Sequence, residues 1–474
     1  MQPWDDDGWY VSRAWALIKT GHTFGAVDAG VLANFPGHEN YFWLLGSWIQ
    51  SLFVRFFGPD IFAVRLTSYL FGLALLGIVY ALAWRFYSQR VAVLAVLIAA
   101  FSFAFIDASH VGRQDVMVAV LGFGSIALYV YQANTRFGIQ SVLSGLALGL
   151  AFDIHPTVIV FPPVIAALLL SDYGLKAVRL GRTWGFAAGL LAGGIYFAVI
   201  HILPNPATYF AISKLQQNSL TTTPPITTFD PGTIANSYIH LASLIRLPLF
   251  LLAVIALVIV WRRANMGDKR LVFISCALFI SIGALVPLKP DYYGILIAPA
   301  IWLLLAASID SLLPQPGAQP ARWDRLRVAL LYQLVFILMA ANLPLLIKDH
   351  NGDYRAAMQM VRDNVPAGKS LIAPMTYWLA RPDEPYFVWE QFAFYRRYYP
   401  GATIPDALVG MHPDYVVLDG LAVDRFLSPD PNILYDNVMV PESGLMGFLD
   451  AHATLVAKEW NNTYAEIRIY RINW

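Results

Sequence analysis

The sequence predicts an α-helical membrane protein of about ten spans followed by a small α/β domain. Three observations predict it. The 474 residues are 58% hydrophobic and only 13% charged, with a mean hydropathy of +0.55, whereas soluble domains carry about 25% charged residues. Several apolar stretches approach or exceed the ~18–20 residues that cross a bilayer. From about residue 349 the composition shifts to short amphipathic helices and alternating strands. A net charge of +1 gives no field that would attract nucleic acid. Cys276, the single cysteine, cannot form an internal disulfide and reads as a small buried hydrophobe. No zinc-type Cys/His spacing and no cleavable signal peptide are visible.

The chain opens on "PWDDDGWYVSRAWALIKTG". Acids at the start and Lys19 and Gly21 at the end frame a helix. Capping needs one aspartate, and there are three, so Asp6 and Asp7 are also candidate functional groups. "YFWLLGSWIQSLFVRFFG" follows, short, aromatic and carrying Arg55. It reads as a helix lying on the membrane surface. Spans are then expected near 62–86, 91–107, 116–133, 138–154, 156–170, 183–203, 240–261, 271–288, 292–312 and 326–347, with a Pro-rich linker at 313–322. One set of turns holds Arg85, Arg90, Arg136, Lys176, Arg179, Arg182, Arg262, Arg263, Lys269, Arg270, Arg322, Arg325 and Arg327. The alternate turns hold only Arg113, Lys214, Lys289 and Lys348. The basic set should face the cytoplasm. The N-terminal segment, the 204–239 loop and everything after Lys348 then lie outside. An outward first loop needs something to carry it across, so a further span ahead of it is expected.

The last part divides into "GDYRAAMQMVRDNVPAG" as a helix, "SLIAPM", "DYVVLDG" and "AEIRIYRIN" as strands, and "FLDAHATLVAKEW" as a helix running into a strand. The organisation is a first loop with surface helices (1–61), a transmembrane domain (62–348) and a soluble extracytoplasmic domain (349–474). The last reads as a packing or acceptor-docking accessory.

Four polar clusters fall on the outward side: Asp5–Asp7; His38 and Glu39 in "FPGHENYFW"; Asp107, His110, Arg113 and Asp115 in "DASHVGRQDVMV"; and Asp153 and His155 in "FDIHP" with Lys289, Asp291, Tyr292 and Tyr293 in "LKPDYYG". Ionisable groups near membrane depth are costly, so their gathering on one face marks a site. Each also has a plainer role. Asp5–Asp7 can cap a helix, and His38 and Glu39 can form a wet loop. Arg113 and Asp115 can make a local ion pair, His155 can fix the turn before Pro156, and Lys289 can snorkel.

The order of these motifs resembles the GT-C membrane glycosyltransferases of the protein-mannosyltransferase-like and aminoarabinose-transferase-like group. An acidic opening helix is followed by "HENYFW", then "FAVRLTSYLFGLALLGIVYALAWRFY", "SHVGRQDVMVAVLGF" and "KPDYYGILIAPA". The resemblance spans roughly residues 5–300. It implies transfer of a sugar from a polyprenyl-phosphate carrier to an extracytoplasmic glycolipid, polysaccharide or protein at the inner (plasma) membrane. Asp6 or Asp7 matches the first-loop acid, Arg113 and Asp115 the acidic motif after a span, His38 the basic entry position, and Tyr292 and Tyr293 the late aromatic motif. The chain has Glu39 and Asn40 where many members carry a Pro pair.

These groups suit that chemistry. A carboxylate, Asp6 or Asp7 with Asp115 as partner, would take the proton of the acceptor hydroxyl. Arg113, His38 or Lys289 would stabilise the leaving phosphate. Glu39, His110, His155, Tyr292 and Tyr293 complete the substrate-binding candidates. The carboxylates also allow a divalent cation, Mg or Mn. Direct displacement predicts inversion at the anomeric carbon. The alternatives are a transporter or flippase of lipid-linked sugars, which would place its polar groups near the midplane with repeat symmetry, and a non-catalytic scaffold, which leaves the carboxylates unexplained.

Overall fold

A computed structural model of the chain describes residues 5–132, 138–220, 247–263, 265–286, 291–313, 351–420 and 444–474, with isolated positions between 329 and 340. Its first helix, α1 (Asp5–Thr20), stops where Gly21 turns left-handed at φ 80° and donates its N–H to Leu17 O (3.1 Å). Helix α2 (Leu44–Phe57) has 14 residues. At 1.5 Å per residue it is about 21 Å long, too short to cross a bilayer. It exposes Trp48, Leu52 and Phe56 along one stripe, as a helix lying on a membrane would. Asp60 then accepts the Phe62 N–H (2.7 Å) and caps α3 (Ile61–Phe86).

The apolar stretches form α3, α4 (Gln89–Ala100), α5 (Phe103–His110), α6 (Asp115–Val130), α7 (Ile139–Ala151), α8 (Pro162–Tyr173), α9 (Gly181–Phe197), α10 (Pro206–Leu220), α11 (Leu247–Arg263), α12 (Met266–Leu285) and α13 (Ala298–Leu312). Among the described residues, Ile61–Phe86, Pro156–Arg179 and Gly181–Ile202 are each long and apolar enough to cross a membrane. The α4–α5 pair, bent by 62°, adds a fourth if it is one span. The expected 326–347 span lies outside the described residues apart from isolated positions, as do the linker after Leu313 and most of the 204–239 loop.

Helices α7 and α9 meet through small residues. A Cβ on Gly145 would come within 2.0 Å of Phe186 O, and one on Gly189 within 2.0 Å of Val142 O. This is close small-residue packing of membrane helices. At the end of the bundle away from α1, basic residues find partners: Arg270 donates to both Asp172 oxygens (3.0 and 2.9 Å), and Arg90 pairs with Asp310.

The C-terminal part is a five-stranded sheet in the order β2-β1-β3-β5-β4, with β1 (Leu371–Ala373), β2 (Tyr386–Val388), β3 (Tyr415–Leu418), β4 (Ala453–Asn461) and β5 (Ala465–Ile472). β1 pairs parallel with both β2 and β3 (Leu371↔Tyr386, Leu371↔Tyr415). β5 runs antiparallel to β3 and β4 (Val416↔Tyr470, Ala453↔Ile472). Around the sheet lie α14 (Asn351–Asn364), α15 (Glu390–Tyr398), α16 (Ile404–Met411) and α17 (Leu445–His452). The helices and strands expected from the sequence are present. β2, α15 and α16 are additional, and β2 and α15 reach the site.

This domain rests directly on α1. Tyr10, Val11 and Ala14 share one buried cluster with Met375, Tyr377 and Trp378. Gly8 permits the approach, since a Cβ there would stand 2.3 Å from Met375 O.

Candidate active site

Helix α1 presents Asp6, Trp9, Tyr10 and Arg13 at i, i+3, i+4 and i+7, a single stripe. All four line a cavity of about 410 Å³. The first loop contributes Asp28, Tyr41, Phe42 and Trp43, the membrane helices and their turns contribute Arg113, His155, Tyr209 and Tyr293, and the C-terminal domain closes it with Met375, Val388, Glu390, Gln391 and Phe394.

Arg13 is 3% exposed. Its Nε and Nη2 donate to the two oxygens of Asp28 (3.0 and 2.9 Å), and its guanidinium lies over the rings of Trp9 (4.1 Å) and Phe42 (3.7 Å). Asp28 also accepts from Trp9 Nε1 (2.5 Å) and the Gly25 N–H (3.3 Å). The carboxylate makes this buried cation tolerable, and the two rings add cation–π attraction.

Arg113 joins two carboxylates. Its Nη1 pairs with Asp6, and its Nε donates to Asp115 Oδ2 (2.7 Å). Asp115 opens α6, where the helix dipole favours its charge. Its Oδ1 is buried and has no hydrogen bond among the described residues. Asp115 itself does not line the cavity.

Asp7 is turned from the cavity and is 0% exposed. Arg65 Nε and Nη2 donate to its Oδ2 (3.2 and 2.6 Å), and the Gly112 N–H donates to its Oδ1 (2.6 Å). It ties α1 to α3 and to the turn that carries Arg113.

His155 stands edge-on between Trp43 (4.8 Å) and Tyr293 (5.8 Å). The Thr157 N–H donates to its Nδ1 (3.3 Å). Burial pushes its imidazole down to about 4; the nearby Asp115 opposes this, and Arg113 and Arg13 reinforce it. At neutral pH the ring is uncharged. With Nδ1 accepting, Nε2 carries the proton and is a donor for a ligand. Burial likewise pushes the Tyr41 phenol up to about 12, against the hydrogen bond from Ser213.

The other candidates lie elsewhere. His38 Nδ1 sits 2.7 Å from Phe35 O and its ring packs on Phe24 (4.2 Å), with Glu39 3.9 Å away. His110 Nδ1 bonds Ile106 O (2.7 Å) at the end of α5. None of the three lines the cavity. Lys289 and Lys348 fall outside the described residues, as do the side chains of Asp5, Asp291 and Tyr292. Asp153 holds the loop to the bundle: it accepts the Leu44 and Leu45 N–H groups (2.9 and 3.1 Å), the Tyr196 hydroxyl (3.0 Å) and contacts His201 Nε2 (2.6 Å). His201 Nδ1 in turn meets Asn40 O (2.6 Å), which fixes Tyr41–Trp43 on the cavity wall.

Sequence reasoning missed Arg13, Asp28, Tyr41 and the C-terminal side chains. Arg13 was findable from the helical stripe. Asp28, in a glycine-flanked loop, gives no local sign of its partner. Among the described residues no three His, Cys, Asp or Glu side chains group as metal ligands, and Asp6 and Asp115 both face Arg113.

Residues 44–214 match the family model described as dolichyl-phosphate-mannose-protein mannosyltransferase. A search of curated proteins finds no match. The chain is similar in structure to ArnT from Cupriavidus metallidurans bound to undecaprenyl phosphate, with a TM-score of 0.61 and 13% identity over 98% of this chain and 93% of that one. It is also similar to the oligosaccharyltransferase AglB from Archaeoglobus fulgidus. One such structure, in complex with an inhibitory peptide and a dolichol-phosphate, gives a TM-score of 0.59 and 14% identity over 97% and 76% of the two chains. Another, an oligosaccharyltransferase complex with Zn and sulfate, gives 0.57 and 13% over 97% and 68%. The family match and the shared fold are those of GT-C membrane glycosyltransferases of the mannosyltransferase and ArnT type, the group that the motifs resemble.

Proposed function

We propose that this chain is a membrane glycosyltransferase that moves a hexosyl or pentosyl unit from a polyprenyl-phosphate carrier to a glycolipid, glycan or protein acceptor. One observation carries the reading: a carboxylate, Asp6, and two guanidinium groups, Arg13 and Arg113, line one cavity at the end of the membrane helices. The undecaprenyl phosphate of ArnT and the dolichol-phosphate of AglB support the carrier class. The basic turns at the other end of the bundle support an extracytoplasmic cavity in the inner membrane, with the domain from residue 349 outside. That domain's share of the cavity wall supports a role in seating the acceptor.

In the mechanism, the acceptor hydroxyl oxygen attacks the anomeric carbon as the bond from that carbon to the carrier phosphate breaks. The electron pair leaves with polyprenyl phosphate, and the hydroxyl proton passes to Asp6. Asp6 starts in an ion pair with Arg113. An arriving phosphate competes for Arg113, and Asp115 keeps the guanidinium in place as its bond to Asp6 loosens. Arg13, its charge balanced by Asp28, adds guanidinium N–H donors, and neutral His155 offers a hydrogen bond. A divalent cation would have to displace Arg113 from Asp6 and Asp115, so these protein groups carry the reading. Attack opposite the leaving phosphate inverts the anomeric centre.

Reconstituted protein supplied with a polyprenyl-phosphate sugar tests this. Formation of a new glycosidic bond, read by mass spectrometry, is the expected outcome. Carrier movement between leaflets with no bond formed would support a flippase and overturn the proposal.

A further inference from the structure

A second cavity, of about 720 Å³, opens where the start of α3 meets α14. Arg65, whose guanidinium is bound to Asp7, lines it, so it begins one ion pair away from the cavity that Asp6 faces. Its walls carry three arginines, Arg65, Arg355 and Arg362, against one carboxylate, Asp60. Arg65 is neutralised by Asp7. Arg362 spends Nε and Nη2 on the Ala380 and Leu379 carbonyls (3.2 and 3.4 Å) and keeps its charge. Arg355 is exposed and makes no hydrogen bond or ion pair among the described residues. Arg355 and Arg362 stand at i and i+7 of α14, one face of that helix. The cavity is therefore net positive.

Its depth relative to the bilayer follows from its neighbours. α3 is long and apolar enough to cross the membrane and starts at Ile61, so the Gly58–Ile61 corner lies at a membrane surface. Phe57 and Phe62 are exposed there, continuing the Trp48–Leu52–Phe56 stripe of α2. An apolar sill thus lies beside a basic recess, the arrangement that holds an amphiphile with its tails in lipid and its anion on guanidinium groups.

We propose that this cavity binds the phosphate of an anionic bilayer lipid, with Arg355 and Arg362 as donors and the acyl chains over Phe57 and Phe62. The proposal does not depend on glycosyl transfer. Native mass spectrometry of the full chain, purified in detergent with equal phosphatidylglycerol and phosphatidylcholine, tests it. Wild-type protein should retain phosphatidylglycerol preferentially, and Arg355→Glu should lower that retention at least tenfold, with Arg355→Gln in between. Because Arg355 makes no hydrogen bond or ion pair among the described residues, both variants should unfold at the wild-type temperature in lipid-free detergent. Equal retention of the two lipids, or full retention by Arg355→Glu, would overturn the proposal. Displacement of the lipid by millimolar inorganic phosphate alone would assign these arginines to a soluble phosphate and overturn the lipid.

Discussion

Asp6 and Asp7 are neighbours in sequence with different surroundings, and Asp7→Asn separates structure from chemistry. The Asp7 carboxylate is wholly buried and takes two bonds from Arg65 and one from the Gly112 N–H. An asparagine keeps one acceptor oxygen and turns an N–H₂ toward donors. Breaking a buried ion pair costs about 3–5 kcal/mol. Arg65 lines the second cavity and can regain water there, so about 2–3 kcal/mol is expected. That is a factor of roughly 30–150 in the folding equilibrium. Thermal unfolding in detergent, followed by tryptophan fluorescence, should show a lower midpoint for Asp7→Asn and a smaller decrease for Asp6→Asn, whose Arg113 keeps Asp115. The Asp7 variant that remains folded should retain transfer. An Asp7→Asn protein with the wild-type midpoint and no transfer would refute the reasoning and move the base to Asp7.

Asp28→Asn should destabilise by about 3–5 kcal/mol, because Arg13 is left as a buried charge without a counter-ion. Adding Arg13→Met should recover much of that loss in the same unfolding assay, and a double variant no better than the single would deny the coupling. Gly8→Leu, with its Cβ against Met375 O, should loosen the C-terminal domain from α1. Limited proteolysis should cut after residue 349 faster in that variant, and equal rates would count against the contact. The folded pKa of His155, about 4, lies below its ordinary 6.5, so the unfolded chain binds more protons between those values. Its contribution to stability is complete above pH 6.5 and falls as pH drops toward 4. His155→Phe should flatten that part of the stability–pH curve, and an unaltered curve would place the titration elsewhere.

Much of this organisation is readable in the sequence for physical reasons. Apolar length gave the helices, and the short alternating strands after the composition change gave the C-terminal sheet, because both are local properties. The length of Leu44–Phe57 and its exposed aromatic stripe were legible in the sequence. The division of labour between the first aspartates was also within reach. Asp6 shares a helical stripe with Trp9, Tyr10 and Arg13, whereas Asp7 shares one with Val11 and Ala14, which face the protein interior. The glycines at 145, 149, 185, 189 and 193 announce the α7–α9 contact through their four-residue spacing. What no local pattern discloses is long-range pairing: Asp28 with Arg13, Asp153 with His201 across 48 residues, and Met375 against Gly8. Those contacts build the cavity, and they depend on how the domain from residue 349 settles on α1.

The most direct test of the account is the transfer rate of Asp6→Asn with a polyprenyl-phosphate sugar donor, measured beside the wild type in the same liposomes. Loss of a general base costs about 10²–10⁴-fold, or roughly 3–5 kcal/mol in the barrier. The account predicts a loss of that size in a protein that remains folded and binds the carrier at least as tightly as the wild type. Transfer by Asp6→Asn at the wild-type rate would contradict it.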